Sequence, residues 1–335
     1  MVCKGRLYGL IFILLLSACS QIESSRTEFA LGTLCHITLF EQGKDSVYND
    51  IFSRIREIEN LMSVNIPASD VSRINAAAGI EPVRVHEDVF MVIERALHYA
   101  QLSGGAFDPS VGPLVSLWEI GGNNPRVPSQ TEIEEVLPLI NWRNIELDPV
   151  TRSVFLTRLS MSLDLGAIAK GYAADEAAAI IKRAGIERAI IDLGGNIVIL
   201  GERKDGKLWR VGVQNPNGNR NEYIGILQIT EQSVVTSGVY ERFFEEGGRR
   251  YHHIFSPSSG YPAESGLLSV TIITPNSMNA DALSTTVFVL GYERGRALID
   301  SLPETEVVFI FNDLTVRKTP GADFLLTDNS FRLVD

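Results

Sequence analysis

The chain is short of cysteine, positive charge and long hydrophobic runs, and each shortage removes a class of protein. Three cysteines stand among 335 residues, with no CxxC or HExxH spacing, so the usual zinc patterns are missing. No Walker loop or G-x-G-x-x-G fingerprint occurs, and "DLGGN" at 192–196 matches neither spacing. Thirty basic residues face 41 acidic ones, a formal charge of −11. Such a chain repels polyanions, so nucleic acid is not an expected partner. The N-terminal apolar run, Leu7 to Leu16, is about half the roughly twenty residues that a spanning helix needs.

That run follows Lys4 and Arg6 and reads as a signal peptide over residues 1–18. Leu16-Ser17-Ala18-Cys19 resembles a bacterial lipobox, in which Cys19 is diacylated and becomes the new N-terminus. Acyl chains would then supply the membrane anchor, with residues 19–27 as a polar tether and 28–335 as one catalytic domain, or two intimate subdomains. The expected location is the bacterial cell envelope, lipid-anchored and facing the periplasm. Ser20 is not an inner-membrane retention acid, so either membrane remains open. Losing Lys4 and Arg6, and no acid, takes the formal charge from −11 to −13. Cys3 leaves with the signal and Cys19 carries lipid, so Cys35 has no partner for an intrachain disulfide. Cys35 and His36 are strand neighbours and face opposite sides, which argues against a metal pair.

What remains is 45% apolar, enough for a substantial core. "ALGTLCHITLF" predicts a strand. Val47, Ile51, Ile55, Ile58 and Leu61 fall at helical spacing over 45–62. A short helix stopped by Gly79 and a longer one over 87–103 follow. "IELDPVTRSVFL" predicts a hairpin turning at Asp148-Pro149, and "RFFEEGGRRYHHIF" one turning at Gly247-Gly248. "RAIIDLGGNIVIL" predicts two strands, and residues 209–235 are strand-rich. Two helices broken near Gly291 precede the strand "EVVFIF", and the tail adds little. Strands and helices mix without regular βαβ alternation, so the class is α+β.

Four stretches carry chemistry. In "LDLGAIAKGYAAD" (163–175), Asp164 lies on the polar side of a strand end, Gly166 permits close backbone approach, and a helix begins near Ala167 with Lys170 one turn in. Unpaired N–H groups and a lysine suit a phosphate. In packing terms the same residues are an N-cap and an exposed lysine. In "NADALSTTVFVLG", Asp281 and Thr285 are four apart on one helix face. Carboxylate and hydroxyl suit magnesium, with a phosphate completing the shell; otherwise Asp281 is a first-turn acid and Thr285 a core residue. "SGGAFDPSVGPLVSLW" offers Phe107 to flank a planar ring and Asp108 before a proline turn. "YHHIFSPSSGYP" offers His253 as an acid or base at a strand end, with His252 facing away.

These pieces, in this order and together with "LGT", "MSVNIPASDVSRIN", "DLGGN" and "TSGVYERFF", resemble the ApbE family of bacterial flavin transferases, from about Phe29 to about Gly291. The resemblance implies an ApbE-like fold of mixed, largely antiparallel sheets with flanking helices, and FAD in a cleft between two intimate subdomains. It implies that a threonine hydroxyl of a partner redox protein attacks the FMN-side phosphorus of FAD, whose pyrophosphate sits on magnesium (Mg2+), and that AMP leaves. The family's acceptors include subunits of Rnf-type complexes and of sodium-pumping quinone reductase. By motif position, Leu31, Asn65, the Ala106-Phe107-Asp108 turn, Asp164, Lys170 and Phe255 would meet FAD. The Ala167 carbonyl, Asp281 and Thr285 would hold the metal with Ser284 assisting, and His253, Asp281 and Asn65 would serve catalysis.

The chain departs from the family pattern in three places. Leu31 stands where members commonly have Met, and Ser256-Pro257 where many have Asp-Pro. Asn65 stands where members often carry an aromatic, usually Tyr, that would cover FAD. A smaller polar side chain there admits water, so Mg-dependent hydrolysis of FAD to FMN and AMP is the alternative reaction. A flavin-binding lipoprotein without catalysis is the third reading, and the intact metal residues argue against it.

Overall fold

The computed structural model describes residues 24–41, 45–219 and 221–334. The expected signal peptide and the lipidated Cys19 lie outside the described residues. In chain order the elements are β1 (Ser24–Ala30), β2 (Thr33–Leu39), α1 (Asp45–Met62), α2 (Asp70–Ala76), β3 (Val83–Arg84), α3 (Glu87–Leu102), α4 (Gly112–Trp118) and α5 (Gln130–Val136). Then come β4 (Ile145–Asp148), β5 (Ser153–Leu156), α6 (Ala169–Arg183), β6 (Ala189–Leu193), β7 (Asn196–Leu200), β8 (Trp209–Gln214), β9 (Tyr223–Ile229) and β10 (Ser233–Gly238). The chain closes with β11 (Phe243–Glu246), β12 (Arg249–His252), β13 (Leu267–Thr274), α7 (Ser277–Asp300), β14 (Glu306–Phe311), β15 (Thr315–Lys318), β16 (Phe324–Leu326) and β17 (Arg332–Leu333).

A nine-stranded sheet, β1-β2-β6-β7-β10-β13-β14-β15-β17, is antiparallel except at its last pair. Each face carries its own core. On one face α1, α3, α6 and α7 bury their apolar stripes with Cys35, Ile37, Ile191, Val270 and Ile272. On the other, the three-stranded sheet β16-β9-β8 covers Ile199, Val234, Ile273, Val308 and Ile310. β13 is therefore buried on both sides, as its continuous apolar run requires. A third, small core gathers Leu114, Trp118, Ile133 and Phe255, pinned by the Trp118 indole N–H on the Gly260 carbonyl at 2.9 Å. The fold is α+β, and no described helix is long and apolar enough to cross a membrane.

Four expectations change. β1 begins at Ser24, inside the stretch read as tether, because "SSRTE" pairs residue for residue with β2 at the sheet edge. The "ALGTLCHITLF" strand is broken by a two-residue turn in which Leu31 and Gly32 have φ of 53° and 68°, the geometry of a type I′ hairpin. Leu163 and Asp164 belong to no strand, the only ladder nearby being an isolated Val111–Ser162 bridge, and α6 starts at Ala169 rather than near Ala167. The tail supplies three strands: β16 pairs with β9, and β15 and β17 extend the main sheet.

Candidate active site

α6 and α7 meet at their N-termini, and each caps the other. Asp175 of α6 accepts from the Ser277 and Met278 backbone N–H groups, both at 2.9 Å, and from the Asn276 amide at 2.8 Å. Asp281 of α7 accepts from the Gly171 N–H at 2.9 Å. In a regular helix that N–H would go to the Ala167 carbonyl four residues back; its turn toward Asp281 leaves this carbonyl out of the helical ladder. The close approach needs glycine, since a Cβ on Gly171 would stand 2.3 Å from the Ser277 carbonyl oxygen. Asp281 is 3% exposed. Its other carboxylate oxygen lies 3.5 Å from Lys170 Nζ, which also donates to Asn196 Oδ1 at 3.1 Å. Asn196 is buried at the start of β7, after the Gly194-Gly195 turn.

This junction forms one wall of a cleft with about 1230 Å³ of space between its walls, including its open mouth. Asp164 and Ala167 line it from the segment that leads into α6, and Lys170, Asp281 and Thr285 from α6 and α7 themselves. Facing them are Phe107, Asp108, Arg242, His253 and Phe255, from the loop before α4 and the β11–β12 hairpin region around the third core. The cleft thus lies where the small Trp118 lobe meets the end of the main sheet.

The walls are electrostatically specific. The His253 ring Nδ1 stands 3.2 Å from the Arg242 carbonyl. A carbonyl only accepts, so Nδ1 carries the proton and Nε2 keeps its lone pair. Burial, then the neighbouring Arg242 charge, push the pKa of His253 down to about 3, so the ring is neutral. His252 points the other way, edge-on to Phe288 in the core. Asp164 is half-buried and accepts from the Gly166 N–H at 2.7 Å. Desolvation in the cleft raises its carboxyl above the ordinary value, against that bond and the Arg242 charge. Asp108 is engaged in structure: it accepts from the Ser110 N–H and hydroxyl at 2.8 and 2.6 Å and from the Trp142 N–H at 3.0 Å. Phe107 and Phe255 line the cleft while almost wholly buried, at 4% and 6% exposed.

Three residues named from the sequence do not line the cleft. Ser284 is fully buried, donates to the Asp281 carbonyl at 2.9 Å and meets the Ser237 hydroxyl at 2.8 Å. It braces α7 and has no free face toward a metal. Asn65 is exposed on the α1–α2 loop, where its backbone N–H meets the Ser63 hydroxyl at 3.2 Å. Leu31 sits at the β1–β2 turn and packs on the main core. Sequence reasoning missed Arg242, Ser237 and Asn196. The first two lie in "TSGVYERFF" and the third in "DLGGN", motifs quoted without roles. Ser237 lines the cleft and also reaches Thr285 Oγ1 at 3.3 Å, so β10 sets the hydroxyl side of the site.

The ApbE family model matches residues 31–309, which include every cleft residue. The chain belongs to the ApbE family. It is 38% identical to the FAD:protein FMN transferase of Treponema pallidum (strain Nichols) over 317 residues, covering 89% of this chain and 87% of that one. It is 39% identical to an FAD:protein FMN transferase of Klebsiella pneumoniae (strain 342) over 293 residues, covering 87% and 91%. The ApbE protein of Thermotoga maritima superposes with a TM-score of 0.80 at 34% identity, covering 91% and 97%. The flavin transferase ApbE of Vibrio cholerae does so with 0.78 at 26%, covering 92% and 98%. The ApbE family match stops before β15–β17, so the strands that extend the main sheet and the edge strand β16 lie outside it.

Proposed function

We propose that this chain transfers FMN from FAD to a threonine hydroxyl of a partner redox protein and releases AMP, in a magnesium-dependent reaction. The observation that carries the reading is the convergence of Lys170, Asp281, Thr285 and a neutral His253 on one cleft. The relatives named above as FAD:protein FMN transferases support it. Acceptors of the Rnf or sodium-pumping quinone reductase type, and a lipid anchor at Cys19 facing the periplasm, belong to the same proposal.

The donor set fits magnesium. Among the described residues no three His, Cys, Asp or Glu side chains gather to hold a metal. One carboxylate (Asp281), one hydroxyl (Thr285) and one carbonyl released from its helix (Ala167) are hard oxygens too few to complete an octahedron, which leaves positions for substrate phosphates. Bound there, magnesium would neutralise pyrophosphate charge and make the phosphorus more electrophilic. The chain's own residues do the rest by position and charge. Lys170, fixed by Asn196 and Asp281, meets the phosphate oxygens. His253 Nε2, whose basicity rises once the anionic pyrophosphate stands beside it, accepts the proton of the acceptor hydroxyl as its oxygen bonds to the FMN phosphorus. The bond from that phosphorus to the bridging oxygen breaks, and AMP leaves with that oxygen. Asp164 offers its carboxyl to a hydroxyl or ring N–H of FAD.

A second reading, FAD hydrolysis, rests on Asn65: its exposed loop sends no aromatic side chain over the cleft. One incubation separates the readings. The protein, FAD, magnesium and the flavin-free periplasmic domain of a sodium-pumping quinone reductase subunit are mixed, and products are weighed by mass spectrometry. The acceptor should gain the mass of FMN with one AMP released. Free FMN plus AMP with unmodified acceptor would mean hydrolysis, and intact FAD would mean binding alone; either overturns the proposal.

A further inference from the structure

A second groove adjoins the cleft on the opposite face of the main sheet, and the two share Gly194, Thr236 and Glu241. Its floor is the sheet surface at His36, Asp192, Thr236 and Thr271, and Tyr240 closes one side. Its other wall is β8. Four consecutive β8 residues, Val211 to Gln214, line it. Side chains of a strand alternate in direction, so an unbroken run of four means that the strand's backbone edge faces the groove. β8 is the end strand of its sheet, so among the described residues that edge carries N–H and C=O groups with no neighbouring strand, the arrangement to which an extended peptide adds.

The mouth of the groove is apolar. Leu34 and Tyr223, 55% and 51% exposed, line it, and Phe29, 71% exposed, lies directly across the β1–β2 ladder from Leu34. Large exposed side chains gathered at one opening mark a contact surface. Between groove and cleft the chain turns at Gly194-Gly195, and a Cβ built on Gly195 would meet nothing. At Gly195 the turn presents no side chain, so a backbone with small residues can pass over it, with Thr236 and Glu241 beside the path.

We propose that this groove holds an extended segment of the acceptor protein, paired along the β8 edge, and delivers its hydroxyl across the Gly194-Gly195 turn into the cleft. The inference rests on the reading of the cleft as a flavin-transfer site, since that reaction requires a polypeptide hydroxyl to reach the phosphorus. The acid Asp192 borders the path, so the segment is neutral or basic next to its acceptor residue.

The full chain and the acceptor domain used above test this. Leu34→Glu and Tyr223→Ala alter only exposed positions away from Lys170, Asp281 and His253. Each should raise the KM for acceptor about tenfold or more while FAD affinity, read by flavin fluorescence, stays within twofold. Hydrogen exchange at residues 210–214 should slow when acceptor is added to the FAD-loaded wild type. An unchanged acceptor KM in both variants with no slowing at β8 overturns the groove. If the wild type labels no acceptor, the transfer reading fails instead, and the exchange readout still decides whether β8 is the docking edge.

Discussion

The Asp281 carboxylate accepts the Gly171 backbone N–H at 2.9 Å, so a side chain from the first turns of α7 finishes the N-terminus of α6. The same carboxylate faces Lys170 at 3.5 Å. One residue thus joins a packing role to a charge role, and substitutions can separate them. Asp281→Asn keeps an acceptor for Gly171 and removes the charge. Its stability should stay within about 1 kcal/mol of wild type while transfer falls by about 10²-fold or more. Asp281→Ala should lose the same activity and about a further 1 kcal/mol of stability. Denaturant titration beside FMN-transfer rates reads both quantities, and an active Asp281→Asn would contradict the assignment.

Lys170 is held by Asn196 at 3.1 Å. On the proposed reading Lys170→Met removes one charged contact to the pyrophosphate, worth about 1.5–3 kcal/mol, so FAD should bind about ten- to a hundredfold more weakly. Asn196→Ala leaves the ammonium in place but unguided, and a smaller loss in the same direction is expected. Fluorescence titration of FAD measures both. An Asn196→Ala effect larger than that of Lys170→Met would show that Asn196 acts some other way.

Gly171→Ala places a methyl 2.3 Å from the Ser277 carbonyl oxygen, which is backbone and does not swing aside. Forcing α6 from α7 should cost about 1–3 kcal/mol and lower activity by displacing Lys170 and Asp281 together. Normal stability in this variant would mean that the helices are less tightly joined than the hydrogen bonds between them indicate.

The parts of this site that are local in the chain were legible in the sequence. The apolar period of α1, the Gly-Gly hairpin turns and the break at Gly291 each depend on a few neighbouring residues, and the structure has them where the pattern placed them. The joints between distant segments were not. Ser237 reaches Ser284 across 47 residues, and nothing local in "TSGVYERFF" signals that contact. The Ser24–Thr27 part of β1 reads as tether because β1 is an edge strand with one solvated face, so its alternation there is polar rather than apolar. The sequence does not show α4 and α5, each seven residues long, although it shows α2, which has the same length. Ser284 adjoins Thr285 in sequence, but its side chain turns inward to the Asp281 carbonyl.

His252 gives the fold a definite acid response. Burial, above all, holds its pKa down to about 4 against an ordinary 6.5, so the folded chain resists a proton that the unfolded chain takes up. Its contribution is intact above pH 6.5 and is lost as pH falls toward about 4, at no more than about 1.4 kcal/mol per pH unit. In His252→Gln that loss should vanish. Unfolding free energies at pH 7, 6 and 5 should therefore converge between wild type and variant as pH drops, and parallel curves would contradict this.

The hydrolysis reading proposed above gives Asn65 a bearing on the balance between transfer and hydrolysis. Asn65→Tyr adds a ring to a loop whose neighbour α2 is tied to the Asp164 segment by Asn75, which bonds the Leu163 N–H and carbonyl at 2.7 and 3.0 Å. FAD turnover without acceptor should fall severalfold in the variant. Equal rates in both proteins would remove Asn65 from the account.

The central claim is that the pyrophosphate and its cation sit where α6 and α7 meet. Diffraction from crystals grown with FAD and manganese in place of magnesium tests it most directly, because the anomalous signal marks the cation. The account predicts one peak bonded to the Asp281 carboxylate, the Thr285 hydroxyl and the Ala167 carbonyl, with Lys170 on a phosphate oxygen. A peak held by other residues, or FAD phosphates beyond the reach of Lys170, would contradict it.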